Sequence, residues 1–275
     1  MGTAIVHRKL HRALVAGMLL CGGVVLAGPS QGGGGAEAAF EAHYPHAASP
    51  TPATSSGSGP FAGVDLAAIA VPGLVLRERV DETVDDGGVS LSFADAQGTV
   101  RAVVRVAVGR DENEARGFLR RSLHAVARVL PEVQDPALGD VAYANDGVGR
   151  FYVAAAAGNV AYVVRTIARA SEPEVAPDAR MLAALVRARM VPGIPQRPVP
   201  TLSLPPEVSL HDGASIVVGG TPGQGVHLRA EGAYVAHGAT GPVVRPSAAG
   251  PIAVIALVAD ELGRVGEARA ESLAR

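Results

Sequence analysis

Ser209, His211 and Asp212 lie close together and supply the three side-chain types of a hydrolytic triad. In such a triad the histidine accepts the serine proton and the carboxylate orients the histidine. The serine also needs a strained elbow, yet the chain contains no Gly-x-Ser-x-Gly stretch. The Asp-Gly pair that follows His211 is typical of a turn, so we predict a turn here. A hydrolase with a dispersed site is the remaining catalytic alternative.

Four arginines on two predicted strands form the best candidate for a ligand-binding surface. They alternate with leucines in GLVLRERV and with valines in TVRAVVRVAV, and they are Arg77, Arg79, Arg101 and Arg105. Because side chains alternate along a strand, all four are predicted to point away from the apolar face. Guanidinium groups bind carboxylates and phosphates, so an acidic envelope protein or polymer is the expected partner. A self-neutralised, solvated face is the alternative.

The other acidic and glycine-rich stretches indicate neither a metal nor a cofactor. The acids of residues 81–88, DETVDDGG, lack the alternating ligand spacing of a calcium loop and are typical of a hairpin loop. Asp140 and Asp146 each stand beside a glycine, where a turn is expected. Residues 219–225, GGTPGQG, are not followed by the Lys-Ser or Lys-Thr of a phosphate loop. We therefore expect no metal site and no cofactor.

The N-terminus has the pattern of a secretory signal peptide. A basic HRKLHR segment precedes an apolar run at 13–27, and small residues follow. The run is shorter than the roughly 20 residues of a membrane-spanning helix. We predict a signal peptide over 1–28 and a secreted or periplasmic protein, with membrane anchoring through an uncleaved segment as the alternative. Cys21, the only cysteine, lies inside this segment behind Leu20, which does not fit a bacterial lipidation signal.

The rest of the chain divides into two folded units and their linkers. Residues 29–60 are dense in Gly, Ser, Thr, Pro and Ala, which predicts a disordered linker. Residues 61–194 alternate strand patterns with two helical patterns, the first capped by Asp111 and the second by Asp178. They predict an α+β domain, an antiparallel sheet with helices on one face. Residues 195–200 predict a proline-rich linker, and residues 201–275 contain only short strand patterns.

Two stretches resemble known families. In VADELGRVG, Asp260, Gly263, Val265 and Gly266 match the closing hairpin of bacterial immunoglobulin-like repeats, and SLHDGASIVVGG resembles their Asp-Gly turn. The resemblance implies a small all-β immunoglobulin-like sandwich over 201–275, with a turn at Asp260–Gly266. Residues 138–164 resemble exported bacterial sensor or lipoprotein domains, which implies an exported, noncatalytic module.

Composition narrows the function classes. The formal net charge is −2, so binding to nucleic acid is not expected. We predict an exported, noncatalytic binding or adhesion-type accessory protein of the bacterial envelope. A membrane-anchored envelope sensor or assembly component is the second hypothesis, and it requires the N-terminal segment to remain in the membrane.

The signal-peptide hypothesis predicts removal of the N-terminus on export. N-terminal sequencing of the exported protein is expected to find a first residue between Pro29 and Ala39. Recovery of an intact Met1 in the membrane fraction would support anchoring instead.

Overall fold

The computed structural model describes residues 33–48, 59–82, 88–145, 152–168, 178–220, 225–238 and 241–275. Within these ranges the chain is mostly β, with several antiparallel sheets and few helices. The helices are α1 Gly33–His43, α2 Pro45–Ala48, α3 Glu112–His124 and α4 Ala179–Ala188. No helix in the described part of the chain is long and apolar enough to cross a membrane. The predicted signal peptide lies outside the described residues.

Eight strands lie within the described residues up to 192. They are β1 Phe61–Val64, β2 Val75–Glu82, β3 Gly88–Ala94, β4 Val100–Val108, β5 Val141–Ala144, β6 Tyr152–Ala157, β7 Val160–Thr166 and β8 Met190–Pro192. Six of them form an antiparallel sheet in the order β2-β3-β4-β7-β6-β5, and β1 pairs with β8 separately. The three strands predicted between residues 138 and 168 are β5, β6 and β7. The turn at Gly158 and Asn159 is confirmed, whereas Asp146 lies outside the described residues.

Both faces of this sheet are covered, so the prediction of helices on one face is wrong. Helix α3 packs through Phe118 and Leu119 on the face that carries Val163. Helix α4 packs through Leu182 and Val186 on the opposite face, in the cluster that contains the valines of β4 and β7. The reason lies in the strands themselves, because β5, β6 and β7 carry buried side chains on both faces. A sheet that is apolar on both faces needs a cover on each.

The predicted helix starts are confirmed by their caps. The Asp111 carboxylate accepts a hydrogen bond from the Glu114 N–H at 2.9 Å, and that of Asp178 accepts one from the Arg180 N–H at 2.9 Å. A capping carboxylate satisfies one of the free N–H groups of the first turn, which stabilises the helix end. Helix α3 ends at His124.

The prediction of a disordered linker over 29–60 does not hold for residues 33–48, which form α1 and α2. The side chains of Phe40, Tyr44 and Ala47 are buried against α3 and β5. Glycine and alanine dominate this stretch, so its composition concealed the two aromatic side chains that supply its packing energy. Residues 49–58 lie outside the described residues.

The strands beyond residue 199 form three small sheets. They are β9 Pro200–Ser203, β10 Glu207–Val208, β11 Ala214–Ser215, β12 Val217–Gly220, β13 Gly225–Glu231, β14 Ala233–Gly238, β15 Gly241–Pro246, β16 Gly250–Ala259 and β17 Val265–Ala274. The sheet orders are β10-β17-β16-β13, β11-β15-β14 and β9-β12. Strand β16 is therefore a central strand, as its continuous apolar sequence predicts.

Strand β16 separates two hydrophobic cores. Its even-numbered residues Ile252 and Val254 belong to the core of the C-terminal strands. Its odd-numbered residues Leu257 and Ala259 belong to the core of the six-stranded sheet, together with Val265 of β17. Because successive side chains of a strand point to opposite faces, one strand contributes to both cores. The division into units 61–194 and 201–275 remains a prediction. In the structure, residues of both predicted units contribute to the core of the six-stranded sheet.

Backbone contacts join the same two parts of the chain. The Val64 N–H donates to the Leu262 carbonyl oxygen at 2.9 Å. Two glycines permit the close approach: a Cβ atom on Gly63 would collide with Leu262, and one on Gly266 would collide with the Pro198 carbonyl oxygen. These positions cannot accept a side chain without displacing the backbone opposite them.

The steric argument predicts the effect of Gly266→Ala. An added methyl group has no space, so the free energy of unfolding is expected to fall by about 1–3 kcal/mol in chemical denaturation. Gly117→Ala is the matched control, because its Cβ atom would meet only the end of the Arg121 side chain at 3.5 Å. This substitution in the interior of a helix is expected to raise the free energy of unfolding by about 0.5–1 kcal/mol. Equal stability of wild type and Gly266→Ala would contradict the close approach.

Candidate functional site

Arg101 does not belong to an exposed binding surface. Its side chain is buried, and its Nε lies 2.6 Å from Oδ2 of Asp95. The Asp95 carboxylate also accepts hydrogen bonds from the N–H groups of Gln97 and Thr99. Burial acts to raise the pKa of Asp95, but the Thr99 N–H and Arg101 outweigh it and hold that pKa below its usual value. Arg101 therefore secures the β3–β4 turn.

The other three predicted site arginines are also separated. A β-bulge at Arg77 shifts the alternation of β2, so Arg79 pairs with Leu91 and faces the same side as the apolar residues. Arg79 Nη2 donates to the Asp260 carbonyl oxygen at 2.7 Å. Arg105 lies on the opposite face, with its guanidinium carbon 5.7 Å from the centre of the Phe118 ring. The prediction that these arginines share one exposed face is wrong, because the bulge and helix α3 divide them.

The structure places Arg77 at the bulge, where its Nη1 donates to the Gly98 carbonyl oxygen. Its side chain is exposed. It is therefore the one member of the predicted set that combines an exposed position with a hydrogen bond to a neighbouring turn.

The two stretches that resembled catalytic or immunoglobulin-like loops are turns, as predicted. The Asp260 Oδ1 accepts hydrogen bonds from the N–H groups of Leu262 and Arg264, each at 3.0 Å. Gly263 has a φ of 74°, a left-handed conformation that favours glycine. The Ser209 hydroxyl oxygen accepts hydrogen bonds from the N–H groups of His211 and Asp212, each at 3.2 Å. These contacts close a turn around Ser209.

A cleft lies where the two parts of the chain meet, and we define it here as the junction cleft. Its volume is about 470 Å³. One wall is the end of β4 and residues 114–121 of α3, and the other is formed by β16, β17 and the proline-rich segment 197–199. Its apolar lining includes Val108, Phe118, Val199, Leu257 and Val265, and its charged lining comprises Glu114, Arg121, Arg197 and Glu267.

Glu114 holds the rim of the junction cleft together. Its Oε2 accepts a hydrogen bond from the Arg110 N–H at 2.6 Å and one from Arg197 Nη2 at 2.8 Å. Burial acts to raise the pKa of Glu114, but these two hydrogen bonds and the charges of both arginines outweigh it and lower that pKa. The carboxylate thus stays ionised and fixes Arg197 on the wall formed by the proline-rich segment.

The charged lining of the cleft contains two arginines and two glutamates. Arg121 lies on the same face of α3 as Phe118, and its side chain is exposed. Arg197 on the other wall is paired with Glu114. Within the part of the chain that the structure describes, no cluster of His, Cys, Asp and Glu residues could hold a metal ion.

Sequence reasoning did not identify this site. It recognised Asp111 as the cap of α3, three positions before Glu114, but it assigned residues 195–200 only to a linker. Arg197 is the single charged residue of the segment VPGIPQRPVP, and that isolation is the signal that could have marked it. Its contact with Glu114 spans more than eighty positions, so no local pattern encodes it.

Comparison with known proteins adds no relative. No protein-family model matches the chain, and a search of curated proteins finds no match. The function is therefore argued from the geometry of the junction cleft.

The lowered pKa of Glu114 predicts a loss of stability in acid. A carboxylate whose pKa is lower in the folded state than its usual 4.5 stabilises the fold fully above that pH. This contribution disappears as the pH falls through the folded-state pKa. Because the pair with Arg197 is partly exposed, we expect it to contribute less than about 1 kcal/mol.

Chemical denaturation at pH 7 and pH 3 measures this contribution. Wild type is expected to lose more stability than Glu114→Gln between the two pH values, and Arg197→Ala should reduce the difference. An identical pH dependence for wild type and Glu114→Gln would contradict the assignment.

Proposed function

We propose that this chain is an exported, noncatalytic binding or adhesion-type accessory protein of the bacterial envelope, and that its partner binds in the junction cleft. The observation that carries the proposal is a cleft between two parts of the chain whose lining combines apolar side chains with an arginine on each wall, beside Glu114 and Glu267. Clefts between structural units are common ligand sites. The pattern of the N-terminal 28 residues supports export.

The finer fold assignment belongs to the same proposal. Residues 61–194 form an α+β unit, and residues 201–275 form an immunoglobulin-like β-sandwich. The core of Val208, Ile216, Val244, Ile252, Val254 and Ala274 between the C-terminal sheets supports the sandwich. The turn at Asp260–Gly266 occupies the place of the closing hairpin of such repeats. In this arrangement the sandwich supplies one wall of the binding site.

The partner is an acidic envelope protein or polymer. The predicted arginine surface on β2 and β4 does not form, but Arg121 offers the same chemistry in the cleft, while Arg197 on the opposite wall is paired with Glu114. A carboxylate of the partner can pair with Arg121, while an apolar group contacts Phe118 and Leu257. Charge pairs at the exposed rim favour fast association that weakens as salt increases.

Site-specific photo-crosslinking in envelope extracts tests this proposal. Val199 lines the junction cleft and is 72% exposed, so a photoreactive amino acid placed there is expected to capture the partner. Val129 is the matched control, since it is 57% exposed and lies outside the cleft. The captured species should be acidic, and its yield should fall at high salt.

Charge reversal completes the test. Arg121→Glu is expected to reduce crosslinking from position 199 by about tenfold or more, because a like charge then faces the acidic partner. Arg128→Glu is the control, since Arg128 is exposed beyond the end of α3. Equal capture from positions 199 and 129, or full capture by folded Arg121→Glu, would contradict the proposed site.

A further inference from the structure

Other residues of α3 than those of the junction cleft line a second groove, and α1 and α2 occupy it. Its walls are α3, the segment 126–132 and strand β5. Phe40, Tyr44 and Ala47 fill it, and all three are buried. We call it the α3 groove, and we call residues 33–48 the N-terminal segment.

The N-terminal segment contacts the groove through side chains on one face of a helix. Glu37, Phe40, Glu41 and Tyr44 stand at positions i, i+3, i+4 and i+7, the spacing that places side chains on one face of a helix. The Phe40 ring stacks on the His124 ring, with 3.7 Å between their centres and 11° between their planes. The Tyr44 ring meets Tyr143 edge-on with 5.0 Å between centres.

Polar groups of the groove recognise the same helix. The Tyr44 hydroxyl oxygen accepts a hydrogen bond from the Leu130 N–H at 2.9 Å. Arg116 is buried, and its Nη1 donates to the His46 carbonyl oxygen at 2.9 Å. Arg116 Nη2 donates to Glu112 Oε1 at 2.9 Å, so the N-terminal segment supplies one of two acceptors of this buried group.

Charge is complementary between the two sides. Arg120 pairs with Glu37 and also lies 3.5 Å from Glu41, and its guanidinium carbon lies 5.6 Å from the centre of the Phe40 ring. His124 Nε2 lies 3.9 Å from the Glu37 carboxylate. The α3 wall of the groove is therefore basic, whereas the α1 face that packs on it is acidic and aromatic. At the other end of the segment the order is reversed, since His46 Nδ1 lies 2.9 Å from Oε2 of Glu132 in the groove wall.

The segment joins the fold through residues 49–60, SPTPATSSGSGP, whose composition is that of a linker. A ligand on a short linker is present at an effective concentration of about millimolar. Because the N-terminal segment competes at this concentration, any other helix binds the groove with a higher apparent Kd.

We propose that the α3 groove is a peptide-binding site for an amphipathic helix of a partner protein, with acidic and aromatic residues at the spacing of Glu37, Phe40, Glu41 and Tyr44. The N-terminal segment is its intramolecular occupant, and the partner helix displaces it. This inference does not depend on the junction cleft, because the two sites use different residues of α3.

Fluorescence anisotropy with a labelled peptide of residues 33–48 tests the groove in the full-length chain. In wild type the N-terminal segment competes with the peptide. Phe40→Ala/Tyr44→Ala removes the competing anchors, so the apparent Kd of the peptide is expected to fall by about tenfold or more. His43→Ala is the matched control, since His43 is an exposed residue of α1, and its Kd should equal that of wild type.

A second variant opens the groove without altering a buried residue. Glu37→Arg/Glu41→Arg in the chain places like charges against Arg120 and is expected to lower the peptide Kd in the same way. When Arg120→Glu is added to this variant, the Kd of the wild-type peptide should rise by about tenfold or more. A peptide carrying Glu37→Arg and Glu41→Arg should bind this last variant more tightly than the wild-type peptide does.

Three outcomes would overturn the proposal. The first is a peptide Kd that is unchanged in both opened variants while circular dichroism shows them folded. The second is equal binding by a peptide that lacks Phe40 and Tyr44. The third is a wild-type dimer in light scattering that dissociates on Phe40→Ala/Tyr44→Ala, because a second copy of the chain would then be the occupant.

Discussion

The two-sided burial of β16 is the constraint on which the rest of this structure depends. Ile252 and Val254 face the core of the C-terminal strands, while Leu257 and Ala259 face the core of the six-stranded sheet. A strand with one polar face would leave one of these cores open to water, at a cost of roughly 25 cal/mol for each Å² of apolar surface exposed. Because one strand serves both cores, the positions of the two parts of the chain are coupled.

This coupling creates the junction cleft. The turn at Asp260–Gly266 lies against the Val64 backbone and Arg79, which fixes the wall formed by β16 and β17. Gly266 lets the proline-rich segment approach that wall, and Arg197 of the segment then reaches Glu114 on α3. The cleft thus exists because backbone contacts, apolar burial and one ion pair hold its two walls at a fixed distance.

Local patterns predicted the helix caps, the turns and the central strand, but they failed where contacts between residues far apart in the sequence determine the structure. The caps at Asp111 and Asp178, the turn at Gly263 and the central position of β16 follow from short-range rules, and the structure confirms them. The arginine surface failed because a bulge at Arg77 reverses the alternation of β2, and no propensity indicates a bulge there. The helices of residues 33–48 were missed because two aromatic residues pack on α3, more than seventy positions away.

Native-state hydrogen exchange tests the central claim most directly, because it measures the free energy of opening at individual amides. The amides of Val164 in β7 and Val254 in β16 are the informative pair, since each lies near the middle of a strand that is paired on both sides. If β16 couples the two cores, both amides should exchange with the same free energy of opening and respond equally to denaturant. Exchange of Val254 at a markedly lower free energy, with Val164 still protected, would show that the C-terminal strands open independently and would contradict the account.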